Sequence, residues 1–150
     1  MIVFQVPFAQ LWGAPNIGEM LNEYAAESAL DGMPKPIPHL DSYLLLVKAN
    51  LLTTICAFQD EKIVGFLLLL VNTLPHYSVP IATIESFFVK KEHRATGAGL
   101  KLLSCAGDIA KGKGAAGMLI SAAVNSDFDR LMSALMLYKK THNTYFRSFA

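Results

Sequence analysis

Ile81-Ala82-Thr83-Ile84-Glu85-Ser86-Phe87-Phe88-Val89-Lys90-Lys91-Glu92-His93-Arg94-Ala95-Thr96-Gly97-Ala98-Gly99-Leu100-Lys101-Leu102-Leu103 is the stretch on which the fold turns. Residues 81–90 are mostly β-branched, aromatic or small and read as a strand. Over 100–110, Leu100, Leu103 and Ala106 face inward while Lys101, Asp108 and Lys111 face outward, which predicts a helix. Between the two lies Arg94-Ala95-Thr96-Gly97-Ala98-Gly99. Gly97 and Gly99 let the backbone turn tightly and approach a ligand with no Cβ in the way. The first amides of the following helix lack internal acceptors and carry the positive end of its dipole, so the junction attracts a phosphate. Arg94, Lys90 and Lys91 add positive charge nearby.

Two other glycine motifs fail on context. Gly112-Lys113-Gly114-Ala115-Ala116-Gly117 spells the dinucleotide fingerprint, but it follows a helix and precedes a strand, so no helix N-terminus is there to receive a pyrophosphate. Residues 107–114 nearly spell a P-loop, yet a glycine stands where Ser or Thr should hold magnesium, and the first half lies inside a helix.

Working outward, residues 1–8 read as a short strand. A helix opens at Pro15 and carries Ile17, Leu21, Tyr24 and Ser28 on one face up to Gly32. Glu19, Glu23 and Glu27 fall on the opposite face, as a solvated stripe or as an attraction for a cationic substrate. Three prolines in 33–38 exclude regular structure and make a semi-rigid loop. A second helix follows over 39–50, then a strand over 51–59, a turn at Asp60-Glu61-Lys62 and a strand over 63–73. The continuous apolar run of that last strand implies burial on both faces. Residues 74–80 form the next turn. Beyond the glycine loop, 118–124 is a small strand. Ser126 with Asp129 resembles a capping box opening a helix to Lys140, and 144–150 is a terminal strand. The order β-α-α-β-β-β-α-β-α-β predicts one α/β (α+β) domain with a mixed sheet and helices on both faces.

Composition narrows the function. Hydrophobic residues make up 53% of the 150 and charged residues 17%, which excludes disorder. A net charge of +1 with scattered basic residues gives no nucleic-acid footprint. The apolar balance suits a homodimer or a wide apolar cleft. Cys56 and Cys105 lie far apart and read as buried thiols of a reducing compartment. No apolar run reaches the ~20 uncharged residues needed to span a bilayer, so no membrane partner and a cytoplasmic location are expected. His39, His76, His93 and His142 show no metal-ligand spacing, and no metal is expected. Glu85 is a carboxylate within an otherwise apolar strand. Burial there would raise its pKa toward the range of a general base, or it is a structural glutamate paired with Lys or Arg.

These residues resemble the GNAT superfamily of acyl-CoA-dependent N-acetyltransferases. The family's central motif is two hydrophobics and Val, four residues, Arg/Gln-x-x-Gly-x-Gly/Ala and an apolar helix. Phe87-Phe88-Val89, residues 90–93 and Arg94 to Gly99 match it before Leu100-Lys101-Leu102-Leu103. The resemblance implies a mostly antiparallel sheet splayed between its fourth and fifth strands, with acetyl-CoA as co-substrate. It implies that Phe87, Phe88 and Val89 offer backbone groups to pantetheine, and that the amides of Ala95, Thr96, Gly97, Ala98 and Gly99 hold the pyrophosphate. A glutamate at the place of Glu85 acts as base in several members. Tyr138, in Ala134-Leu135-Met136-Leu137-Tyr138-Lys139-Lys140, resembles the family tyrosine that protonates the leaving thiolate; otherwise it is a half-buried core residue. Asn125 resembles an asparagine that touches pantetheine, although it stands farther from Tyr138 than the pattern requires. His142-Asn143 replaces the usual Gly-Phe, and one terminal strand is missing, so the acceptor pocket is open or completed by a partner subunit. The implied activity is acetyl transfer to a small-molecule or peptide amine by direct attack in a ternary complex, without metal or acyl-enzyme. Two alternatives stand: a non-catalytic GNAT-fold module that binds CoA or another protein, and an obligate dimer acting on a protein N-terminus or lysine. His76 is a minor alternative base.

Overall fold

The computed structural model describes residues 1–149. In chain order it runs β1 (Ile2–Val6), α1 (Phe8–Trp12), α2 (Ile17–Ser28), α3 (Leu40–Lys48), β2 (Leu52–Gln59), β3 (Lys62–Leu74) and β4 (Val79–Val89). A 3₁₀ turn (Lys91–Thr96) then leads into α4 (Ala98–Gly112), β5 (Met118–Leu119) and α5 (Asp127–Ala134). The five strands form one sheet in the order β1-β2-β3-β4-β5. The first three pairings are antiparallel and β4–β5 is parallel.

The Asp60-Glu61 turn fixes the β2–β3 register, pairing Gln59 with Lys62, and both turn residues adopt positive φ as a two-residue hairpin requires. β3 is buried from Ile63 to Leu69 because both faces of the sheet are covered. On one face α4 lays Ala98, Leu102, Leu103, Ala106 and Ala110 over Ile55, Leu67 and Leu69. On the other, α1 and α2 bring Phe8, Leu11 and Met20 onto Val6, Phe58 and Phe66. The mixed sheet with helices on both faces agrees with the sequence reading. Gly114, at φ +77°, turns the chain from α4 toward β5, which is why the dinucleotide spelling there is only a turn.

Some boundaries differ. The helix expected from Pro15 is α2, which starts at Ile17, and a short helix that was not expected, α1, precedes it and ends at Gly13. β5 is two residues long instead of seven, since β4 stays in register with it only through Ala82↔Met118 and Thr83↔Leu119. α5 does open on the Ser126 cap, whose Oγ accepts from the Asp129 amide at 3.1 Å. It ends at Ala134, not Lys140, where Leu135 turns extended. Residues 135–149 are irregular where a strand over 144–150 was expected; Ala150 lies outside the described residues.

Candidate active site

β4 is the element on which the site is built. Its edge toward β3 is paired from Val79 to Val89 except at Glu85. Its other edge is paired with β5 only at Ala82 and Thr83, so the sheet opens from Ile84 onward. Phe87, Phe88 and Val89 lie on this opened stretch. The Phe87 ring sits 5.1 Å from Phe128 at the start of α5, so the opening is floored by aromatic carbon. Phe88 points to the other face, where it packs against Phe66 and Tyr24.

At the end of β4 the chain makes its 3₁₀ turn and reaches Gly97, which is left-handed (φ +79°). A Cβ at Gly97 would meet nothing within 4 Å, so glycine is needed there for backbone conformation rather than for space. At Gly99 the reason is different: a Cβ would approach the Phe87 ring to 3.3 Å. The first intrahelical bond of α4 runs from the Lys101 amide to the Gly97 carbonyl, 3.1 Å. It leaves the amides of Ala98, Gly99 and Leu100 without intrahelical acceptors. No side chain caps this end and no acid stands in its first turn. Such an N-terminus suits an anion. The free helix-start amides are those of Ala98, Gly99 and Leu100, whereas the expected set ran from Ala95 to Gly99; Ala95 and Thr96 belong to the 3₁₀ turn.

Arg94 is turned away from that cradle. Its Nε donates to the Val89 carbonyl at 2.9 Å, its Nη2 pairs with Glu27 at 2.6 Å, and its guanidinium lies 5.9 Å from the Phe88 ring centre. Lys90 likewise pairs with Glu19 at 2.7 Å, which raises its pKa. The acidic stripe of α2 is thus not a solvated face throughout. Glu19 and Glu27 hold α2 to the β4–α4 connection.

Glu85 needs a correction. It was expected buried, yet it is exposed. The β3–β4 register explains this: Leu68 opposes Ser86 and Leu69 opposes Ile84, so Glu85 is the extra residue of a β-bulge. A bulge breaks the alternation of a strand and re-aims its side chains. Here Glu85 and Ser86 both border a cleft of about 340 Å³ whose other walls include Tyr24 and Ala25 of α2, Ile37 of the proline segment and Tyr43 of α3. The Tyr43 hydroxyl donates to Glu85 Oε1 at 3.0 Å and the Ser86 hydroxyl to Oε2. Burial, then the Glu85 charge, pushes the Tyr43 phenol up to about 12, so it stays a donor at neutral pH. Burial also raises Tyr24. Tyr43 and Ser86 escaped the sequence reading. Ser86 was adjacent to Glu85, whereas nothing local signals that Tyr43, 42 residues away, meets it.

The remaining candidates are dispersed. Asn125 is left-handed (φ +61°), its amide donates to Asp129 Oδ2 at 3.0 Å and its carbonyl accepts from Arg130. Tyr138 lies past the end of α5 instead of on a helix; its amide donates to the Leu135 carbonyl and partial burial raises its phenol. His76 packs on Tyr77 in the β3–β4 turn and does not line the cleft. Among the described residues no group of His, Cys, Asp and Glu could hold a metal, and no helix is long and apolar enough to cross a membrane.

Solved structures share this architecture. An aminoglycoside acetyltransferase from an uncultured soil metagenomic sample, crystallised with trehalose, superposes with a TM-score of 0.74 at 18% identity over 99% of this chain and 96% of its own. The ribosomal-protein-alanine N-acetyltransferase of Brucella melitensis biovar Abortus 2308 gives 0.72 at 16% identity over 99% and 100%. The aminoglycoside N-acetyltransferase AAC(6')-Iy, in complex with CoA, gives 0.69 at 16% identity over 99% and 100%. At these identities the likeness is one of fold. No curated protein matches the chain by sequence. Residues 17–141, most of the chain, match the profile of the acetyltransferase (GNAT) family, and the chain belongs to that family.

Proposed function

We propose that this chain transfers an acetyl group from acetyl-CoA to a primary amine by direct attack in a ternary complex. The observation that carries the reading is the double character of β4. Its edge opens from β5 just where its bulge presents the Glu85 carboxylate to a cleft. The uncapped amides of Ala98, Gly99 and Leu100, with open space above Gly97, fit the pyrophosphate of a CoA thioester. Phe87, Phe88 and Val89 would track its pantetheine arm, with Asn125 at the far side. Acetyl-CoA, when bound, would supply an activated acyl carbon and a good leaving thiolate.

This chain's residues supply the rest. An alkylammonium must lose a proton before its nitrogen can attack; Glu85 takes that proton directly or through one water. As the C–N bond forms and the C–S bond breaks, the thiolate needs a proton, and Tyr138 is the donor this reading assigns. Tyr43 and Ser86 hold the two carboxylate oxygens in place, each leaving a lone pair for the amine. A second reading, a CoA-binding module without catalysis, is favoured by the position of Tyr138 beyond the end of α5.

Mixing the chain with acetyl-CoA and an amine panel while following free thiol separates the two readings. Amine-dependent thiol release is expected. Heat on titration with acetyl-CoA but no release with any amine would leave only the binding module; no heat would remove both.

A further inference from the structure

We propose that the cleft between α2, α3 and the β4 bulge takes a primary amine carried on an apolar body with a single positive charge, and not a polycation. The inference rests on the proposed acetyl transfer only in taking this amine as the acceptor.

Charge count is the first argument. Among the described residues Glu85 is the one carboxylate lining the cleft. None of the acids on the neighbouring helix adds to it. Glu19 and Glu27 are engaged by Lys90 and Arg94 on the side of the β4–α4 connection, and Glu23 lies between them on the same face. His39, also in the lining and hydrogen-bonded to Ser42, brings no negative charge. A second or third ammonium would therefore enter without a counter-charge, at a large desolvation cost.

The walls are the second argument. Leu21, Ala25, Pro36, Ile37 and Pro38 offer carbon, and Tyr24 and Tyr43 offer rings. About 340 Å³ lies near the lower end of ligand-sized clefts and matches a small apolar body better than a multi-ring polyamine. Two sources present this chemistry: a free arylalkyl or alkyl amine, and a peptide N-terminus with an apolar first side chain.

Calorimetry on the full chain, with and without CoA, tests the assignment using 2-phenylethylamine, the tripeptide amide Phe-Ala-Ala, sisomicin, and 2-phenylethanol as an uncharged isostere. At least one of the two apolar amines should bind about tenfold or more tightly than sisomicin and than the alcohol. Which of the two binds better identifies the source. Glu85→Gln should abolish the advantage over the alcohol. Ile37→Glu, at an exposed loop position, adds a second carboxylate at the rim and should tighten sisomicin about threefold. Sisomicin binding as tightly as the apolar amines, the alcohol matching them, absence of binding by both amines, or no gain in Ile37→Glu would each overturn the assignment. Thiol release is read separately: its failure with the binding preference intact removes acetyl transfer and leaves the amine class standing.

Discussion

The two faces of the sheet are built on different plans. One is covered by α4, a 15-residue helix with five buried side chains in one stripe. The other is covered by α1, α2 and α3, of which α3 buries no residue fully and is linked to α2 through a proline-bearing segment at 33–38 that forms no regular structure. A continuous stripe packs without gaps and sets the start of α4 rigidly against Phe87. Short helices and an irregular segment cannot fill the space over β4, and the gap they leave is the cleft at Glu85. In the proposed scheme the first face would hold the CoA thioester and the second the acceptor amine.

The largest effect should come where the two plans meet. Glu85→Gln keeps the shape but removes the proton acceptor, and its amide nitrogen cannot accept one of the two hydroxyl bonds that Tyr43 and Ser86 make to the carboxylate. It should lower kcat/KM for the acceptor amine by roughly 10²–10⁴-fold while leaving acetyl-CoA binding unchanged. Thiol-release kinetics with calorimetry checks both halves, and equal kinetics in the variant would remove the base from the scheme. Next comes the contrast in packing. Leu102→Ala on the rigid face empties a fully buried site and should cost about 2–5 kcal/mol in urea unfolding. Ile37→Ala on the loose face, with the side chain 81% exposed, should stay within about 0.5 kcal/mol. Similar costs for the two would show that the faces do not differ as described.

How much of this was legible in the sequence follows the same division. The glycine loop and α4 are local: strand, turn and amphipathic helix lie within one short run, so pattern alone located the strand–turn–helix junction at Gly97. Glu85 was singled out in the sequence, but its surroundings were misread. A bulge is a property of the β3–β4 pairing and leaves no mark on β4 alone. The partners Tyr43–Glu85, Lys90–Glu19 and Arg94–Glu27 are 42, 71 and 67 residues apart, beyond any periodicity. The C-terminal stretch failed for a tertiary reason. Leu135-Met136-Leu137 continues a helical pattern, but Met136 and Leu137 are exposed and have no face to pack on. Short helices without such packing are marginal in water.

Tyr43 tests whether the loose face orients the carboxylate. Tyr43→Phe removes one donor to Glu85 and should reduce kcat/KM by about three- to tenfold, consistent with about 1 kcal/mol for one hydrogen bond. It also has a pH signature. The folded phenol's pKa, about 12, lies above its ordinary 10.0, so folding favours the protonated form. That contribution to stability is complete below pH 10 and is lost as pH rises through 12. Urea unfolding across this window should show a shallower fall in the variant. Part of the slope should remain, because burial also raises Tyr24 and pushes the Cys56 thiol up to about 12. An unchanged slope would mean that Tyr43 is as solvated in the folded chain as in the unfolded one.

The smallest effect concerns the seam between the faces. Arg94 was expected to serve an anion, but Glu27 faces it, and the two faces are joined through this pair rather than through the sheet alone. Both side chains remain partly exposed, so Glu27→Gln should destabilise by only about 0.2–1 kcal/mol, and less as salt is added. The informative readout is the cofactor side. With Glu27 neutralised, the guanidinium keeps its bond to the Val89 carbonyl but loses its counter-charge, and the positive potential at the start of α4 rises. CoA should then bind somewhat more tightly at low salt, with the gain erased at high salt. Weaker CoA binding in the variant would mean instead that Glu27 acts by fixing the β4–α4 connection, so that the cradle depends on α2 and the rigid face is not independent of the loose one.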